Sequence, residues 1–290
     1  MKYFISAFIV LSFSTLISHA SDEPVVVVDK SKFQIHMAEY KNDSLVIFKT
    51  YPITLGKNSG DKILEGDQKT PEGIYRFTAK YGPPQIQKKL GDMAFYVDYP
   101  NSIDRRDKKT GYAIMLHATD DPSRLERNQD SDGCLVTSNE KIKEMSEYIH
   151  PPYSMILIYN ELKPEFLVAD SKVDLKNAFN KWLTAWTTKD IDTYIDSYAE
   201  DFRFEAMNRS QYKDYKSILN KKYDVIDVKA TDVRFYTHPK YDVVTFTQTY
   251  SATFKNGKVA FLSRGQKRLY FIKEEGKLKI YSEDFSRMSL

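Results

Sequence analysis

The sequence contains a single cysteine, Cys134, and a thiol does chemistry only where its surroundings help it lose a proton. A free thiol titrates near 8.5, and an adjacent imidazolium or positive dipole lowers that by units. Two of the histidines sit in unremarkable settings: His36 in an alternating apolar/polar stretch and His238 in the turn-like Thr237-His238-Pro239. Both read as surface polar residues. His150 precedes two prolines at a helix end, where it favours the helix dipole. His117 is different, because it closes the apolar run Tyr112-Ala113-Ile114-Met115-Leu116, and a strand end is where a sheet delivers side chains to a site. Seventeen positions later comes Ser131-Asp132-Gly133-Cys134, a turn whose glycine lets backbone N–H groups converge on a developing oxyanion. A strand-end base followed by a Gly-Cys nucleophile turn suits acyl transfer, with the thiolate populated at neutral pH.

The compartment decides how a lone cysteine is read. Met1 and Lys2 precede an apolar stretch from Phe4 to Ile17, and Ser18-His19-Ala20 offers small residues at the positions a signal peptidase reads. The stretch is about 14 residues, short of the roughly 20 that span a bilayer. Residues 1–20 are therefore expected to be a cleaved signal peptide, placing the protein in the periplasm. Exported proteins use cysteines in pairs, and one cysteine cannot pair within its own chain. Three readings stand on that basis: a buried inert thiol, an intermolecular disulfide or a reactive nucleophile.

Composition narrows the class. The 290 residues are 41% hydrophobic and 29% charged, enough apolar material for true cores, and 14% aromatic, which leans towards β structure. Collagen-like, low-complexity and multispan membrane chains are excluded. The net charge of +3 falls to +2 once Lys2 leaves with the leader, so no nucleic-acid or strongly acidic partner is expected. No paired His or Cys spacing suggests a metal or a cofactor.

Two textures follow one another along the chain. Strands are expected at Val25–Lys30, Phe33–Met37, Ser44–Phe48, Ile74–Phe77, Ala94–Tyr99, Tyr112–His117 and Ser154–Tyr159, with one helix from Ser138, as N-cap, to Ile149. Residues 21–160 thus read as a mostly β unit, and 161–172, with a proline and several charges, as a linker. Val173 to Tyr198 then has a helical period, with Leu175, Phe179, Trp182, Leu183 and Trp186 on one face. A second helix is expected over Ser210–Lys222. Strands follow at Val225–Phe235, Val243–Phe254, Val259–Phe271 and Lys277–Ser282. Helices ahead of an antiparallel sheet make residues 173–290 an α+β unit.

The first unit resembles the L,D-transpeptidase catalytic domain, the YkuD-type fold. Its hallmark is a strand-end His, then Ser/Thr-x-Gly-Cys, here His117 and Ser131-Asp132-Gly133-Cys134. The run Val25–Lys30, the tetrapeptide Thr54-Leu55-Gly56-Lys57 and the loop Gly66-Asp67…Thr70-Pro71-Glu72-Gly73 match further landmarks in order. Three positions depart: Asp132 stands where the family has His, Ala118 follows the base where Gly is common, and Val136 replaces an Arg. The second unit resembles NTF2-like domains, through Trp182, Trp186, Asp190, Tyr194, Tyr198 and Asp201-Phe202 in the opening helices and Gly265–Phe271 in a late strand. The fold implied is a mostly β catalytic domain followed by an α+β domain with helices packed on a curved antiparallel sheet.

The pairing resembles periplasmic L,D-carboxypeptidases that trim peptidoglycan tetrapeptides to tripeptides in helical bacteria. That resemblance implies Cys134 as nucleophile, His117 as general base and acid, the Ala118 carbonyl orienting His117, and the N–H groups of Gly133 and Cys134 in the oxyanion hole. Ser131, Asp132 and Tyr112 would meet the substrate. The expected partner is a stem peptide, with a glycan or wall protein at the second domain and the oligomeric state open. A cross-linking transpeptidase and a non-catalytic wall-binding scaffold are the alternatives.

Overall fold

The computed structural model describes residues 24–288; the expected signal peptide lies outside them. The N-terminal half is built on β1 (Val25–Asp29), β2 (Gln34–Lys41), β3 (Ser44–Pro52), the two-residue β4 (Leu55–Gly56), β5 (Gly73–Tyr81) and β6 (Ala94–Val97). Helix α1 (Ser102–Arg106), β7 (Met115–His117), β8 (Gln129–Ser131), β9 (Leu135–Val136), α2 (Asn139–Met145) and β10 (Met155–Tyr159) complete it. Eight of the strands form one sheet in the order β3-β2-β1-β10-β5-β6-β7-β9, while β4 pairs with β8. The β1–β10 and β7–β9 pairs are parallel.

The unbroken apolar runs of β1 and β10 have a direct cause. Val26, Val28, Ile156 and Ile158 face a core with Phe77, Phe95, Leu116 and the residues of α2. The alternate residues Val25, Val27, Met155, Leu157 and Tyr159 face the C-terminal half, against Tyr236, Tyr241, Val243 and Tyr270. A strand covered on both faces has no reason to alternate. The same packing buries His238, which stacks on Tyr159. His36 is also buried and bonds to Thr50 Oγ1 at 2.8 Å. Neither histidine is the surface residue its local sequence suggests, because tertiary cover and not the local pattern sets burial.

The C-terminal half contains α3 (Val173–Thr187), α4 (Ile191–Asp196), the small ladder β11 (Arg203–Phe204) and β12 (Met207–Asn208), and α5 (Arg209–Lys222). Then come β13 (Val225–Tyr236), β14 (Asp242–Thr253), β15 (Val259–Glu274) and β16 (Lys277–Arg287), an antiparallel meander. The helical period expected through Tyr198 is broken between Thr187 and Ile191. Lys189 takes φ 61°, and the Asp190 carboxylate caps Thr193 N at 3.1 Å, a better position for a short acidic side chain than a helix interior. The stretch between the halves is not slack. Leu45 N donates to Leu167 O at 2.7 Å and Lys172 Nζ to Asp43 O at 2.5 Å.

Candidate active site

β7 and β9 bring the two chemistry-bearing residues together. Their register pairs Leu116 with Leu135 and His117 with Val136. Cys134, one residue before β9, is therefore two residues back in register from Val136, the partner of His117. His117 is 3% exposed. Its Nδ1 lies 2.5 Å from the Ala118 carbonyl and donates to it, leaving Nε2 as the basic nitrogen. The Ala118 methyl, where a glycine is usual, is accommodated from the opposite side. A Cβ at Gly91 would come within 2.6 Å of the Ala118 Cβ and 2.5 Å of Asn139 Oδ1, so the room for the Ala118 methyl depends on a glycine at 91.

The expected strand from Tyr112 starts only at Met115. Ala113 adopts φ 56° and Tyr112 turns outward, 73% exposed. The irregular backbone is useful here, since the Cys134 thiol reaches the Ala113 carbonyl at 3.7 Å. Protein packed around the thiol pushes it up to about 11, with the Asp132 charge adding to the effect and Met115 N–H, Arg124 and Lys62 opposing it. Burial likewise holds His117 down to about 4. Both shifts run against the resting thiolate expected from the sequence, because the protein packed around each group disfavours its charged form.

The turn before Cys134 is held by Ser131, whose Oγ donates to Cys134 O at 2.7 Å and accepts Gly133 N–H at 3.1 Å. That amide, expected in the oxyanion hole, is thus engaged inside the turn. Cys134 N–H has no acceptor among the described residues and is the donor that remains. Gly133 has φ 123°, and a Cβ there would lie 2.7 Å from the Lys69 carbonyl. Asp132 leans away from the sulfur, accepting from Lys57 Nζ and Gln68 Nε2, both at 2.9 Å. The Lys57 bond keeps its carboxylate below the usual range.

A cleft of about 430 Å³ opens over Cys134, bordered by Lys62, Gln68, Tyr112, Ala113 and Asp132. Sequence reasoning overlooked Arg124, whose charge acts on both His117 and Cys134. It is aimed by Asp130, which accepts from its Nε at 2.8 Å. The signal that could have found it is its place in the sequence between base and nucleophile, six residues before the acid it pairs with.

A second cavity, about 500 Å³, lies in the C-terminal half between α5 and the sheet. Trp186, Tyr212 and Tyr250 line it, with Lys216, Lys267 and Glu283 as charged groups. Lys267 and Glu283 pair at 2.9 Å, and Tyr198 and Tyr212 donate to the same carboxylate at 3.2 and 3.3 Å. Lys216 Nζ sits 4.4 Å from the Trp186 ring centroid, and burial lowers it to about 8.

Comparison with known proteins gives the same division. Residues 23–158 match the L,D-transpeptidase catalytic domain (YkuD), and residues 174–284 match the Cds6 C-terminal NTF2-like domain. Bd1075 of Bdellovibrio bacteriovorus is similar over 92% of this chain and 94% of its own, at 29% identity and a TM-score of 0.78. The helical cell shape determining protein Pgp2 of Campylobacter jejuni is similar over 90% of this chain and 91% of its own, at 26% identity and a TM-score of 0.70. No curated protein matches the sequence at a significant level. The chain carries an L,D-transpeptidase catalytic domain of the YkuD type followed by a C-terminal NTF2-like domain.

Proposed function

We propose that the protein is an exported, periplasmic peptidoglycan L,D-carboxypeptidase that removes terminal D-Ala from stem tetrapeptides and so remodels the wall. One observation carries the reading: Cys134 lines a cleft of about 430 Å³ and directly precedes β9, the parallel neighbour of β7, whose last residue His117 has its tautomer set by Ala118. Cys134 Sγ attacks the carbonyl carbon of the L,D bond, and His117 Nε2 takes the thiol proton as the S–C bond forms. Cys134 N–H stabilises the oxyanion. The C–N bond breaks, His117 returns the proton to the departing amine, and a thioester remains. Water, activated by His117, then attacks the thioester, releasing the tripeptide carboxylate and restoring the thiol.

Tyr112 and Asp132, which border the cleft, are proposed to shape peptide binding, with Ser131, buried, acting only through the turn it holds. The similarity to Pgp2, named for helical cell shape, supports a role in shape. The aromatic cavity of the C-terminal half is proposed to hold a glycan or wall protein. Mass spectrometry of muropeptides incubated with wild type and Cys134→Ala tests the reaction. Tetrapeptide converted to tripeptide by the wild type alone supports it. New dimers or D-amino-acid exchange would make the enzyme a transpeptidase, and no change in either sample would favour a binding scaffold.

A further inference from the structure

The loop that walls the Cys134 cleft is gripped from the other half of the chain. It runs from Asp61 to Glu72, presents Lys62 and Gln68 to the cleft, and lays the Lys69 carbonyl against Gly133. Its interior is organised by Asp67, which accepts from Ile63 N at 2.7 Å, Leu64 N at 2.9 Å and Lys62 Nζ at 2.8 Å. Its two ends are joined where Glu72 N donates to Asp61 Oδ1 at 2.7 Å.

Those ends are also where charge is concentrated. Asp61 Oδ2 takes Lys109 at 2.8 Å and Lys240 at 2.6 Å. Glu72 takes Lys30 at 3.0 Å and Lys240 at 3.4 Å. Lys109 also pairs with Asp104 at 2.7 Å. Three carboxylates thus meet three ammonium groups, two from the catalytic half and the third, Lys240, from the turn between β13 and β14. That turn is itself fixed. His238 Nε2–H donates to Ile158 O at 3.0 Å, and His238 Nδ1 accepts from Lys240 N at 3.2 Å. Tyr241 OH accepts from Ile74 N at 2.9 Å and from Asn101 Nδ2 at 2.8 Å, immediately beyond the loop's end.

We propose that Lys240 is a positioning residue for the Cys134 cleft: by bridging Asp61 and Glu72 from the NTF2-like half, it sets the 61–72 loop against the nucleophile turn. The NTF2-like domain would then act on catalysis through this turn, independently of anything held in its own cavity. Removing the ammonium leaves Asp61, Glu72 and Asp104 with only Lys30 and Lys109 between them, one cation too few, so the loop ends separate and the wall loosens. The proposal rests on Cys134 being the nucleophile.

Hydrogen exchange and kinetics on the full chain test it. In Lys240→Met, amides of residues 62–70 should exchange about tenfold faster while those of β14 stay as in the wild type. KM for tetrapeptide should rise roughly tenfold with kcat within about threefold, since a loosened wall weakens binding more than bond-breaking. Lys240→Arg should restore both. Unchanged exchange at 62–70, or equal acceleration throughout the chain, would overturn the brace, as would a KM that does not move in an active enzyme. If the wild type turns over no muropeptide, the exchange result still decides the brace, and the carboxypeptidase reading fails by itself.

Discussion

His117 ends β7 and Cys134 immediately precedes β9, its parallel neighbour, two residues back in register, and burial favours the neutral form of both. The proton therefore rests on sulfur until substrate arrives, and His117 is already unprotonated to receive it. Alkylation of Cys134 by iodoacetamide in the free protein should be slow at pH 7 and rise about tenfold per pH unit towards the thiol's folded value of about 11. A fast reaction at pH 7 would contradict the neutral pair.

Turnover should have a low acid limb for the same reason. The base must be neutral, so kcat/KM for tetrapeptide should fall only as pH drops towards about 4, where His117 protonates. Cys134→Ala and His117→Ala should each lower kcat/KM by at least about 10³-fold while melting near the wild-type temperature. Retained turnover in Cys134→Ala would remove the nucleophile assignment.

Gly133→Ala is expected to damage both site and fold. Its φ of 123° is unfavourable for any side chain, and the new methyl meets the Lys69 carbonyl at 2.7 Å. A loss of about 1–3 kcal/mol in denaturant unfolding is expected, with activity reduced as the turn carrying Cys134 shifts. A variant as stable as the wild type would show that the loop yields freely.

His238 gives the seam between the halves a pH signature. Burial holds it down to about 4, below its unfolded value near 6.5, and protonation would break its acceptance from Lys240 N. Its contribution is complete above pH 6.5 and is lost as pH falls through 4. Asp98 and Asp242, raised by burial to about 6, act in the opposite sense, so the wild-type profile alone stays shallow. The stability difference between wild type and His238→Gln isolates the histidine. It should shrink by about 3 kcal/mol between pH 7 and pH 4, and a constant difference would show that His238 titrates normally.

Lys267→Met should strand Glu283 among the Tyr198 and Tyr212 hydroxyls. Breaking a buried pair from one side costs about 3–5 kcal/mol, seen as a melting point lowered by roughly 10 °C. Adding Glu283→Gln should recover most of it. A double variant no better than the single would mean that lost packing, not stranded charge, is the cause.

What local spacing could settle was settled in the sequence. The paired apolar runs of β1 and β10, the strand-end His117, the Gly133-Cys134 turn and the helices-then-sheet order of the second half all depend on residues near one another in the chain. What the structure alone decided depends on distant cover. His36 and His238 are buried by strands and rings far off in sequence, the Cys134 thiol is pushed up and His117 held down by the protein packed around them, and the Gly133 amide is taken by Ser131. The Lys267–Glu283 pair shows the limit most clearly. Counted back from the Glu274–Lys277 turn, Lys267 would oppose Asp284 and leave Glu283 on the other face. A bulge at Tyr281 shifts the register, so that Tyr270 meets Ser282 and Lys267 meets Phe285. Because side chains alternate along a strand, that one extra residue turns Glu283 into the cavity beside Lys267. Whether a strand absorbs such a residue is decided by the packing on both of its faces, which no local pattern records.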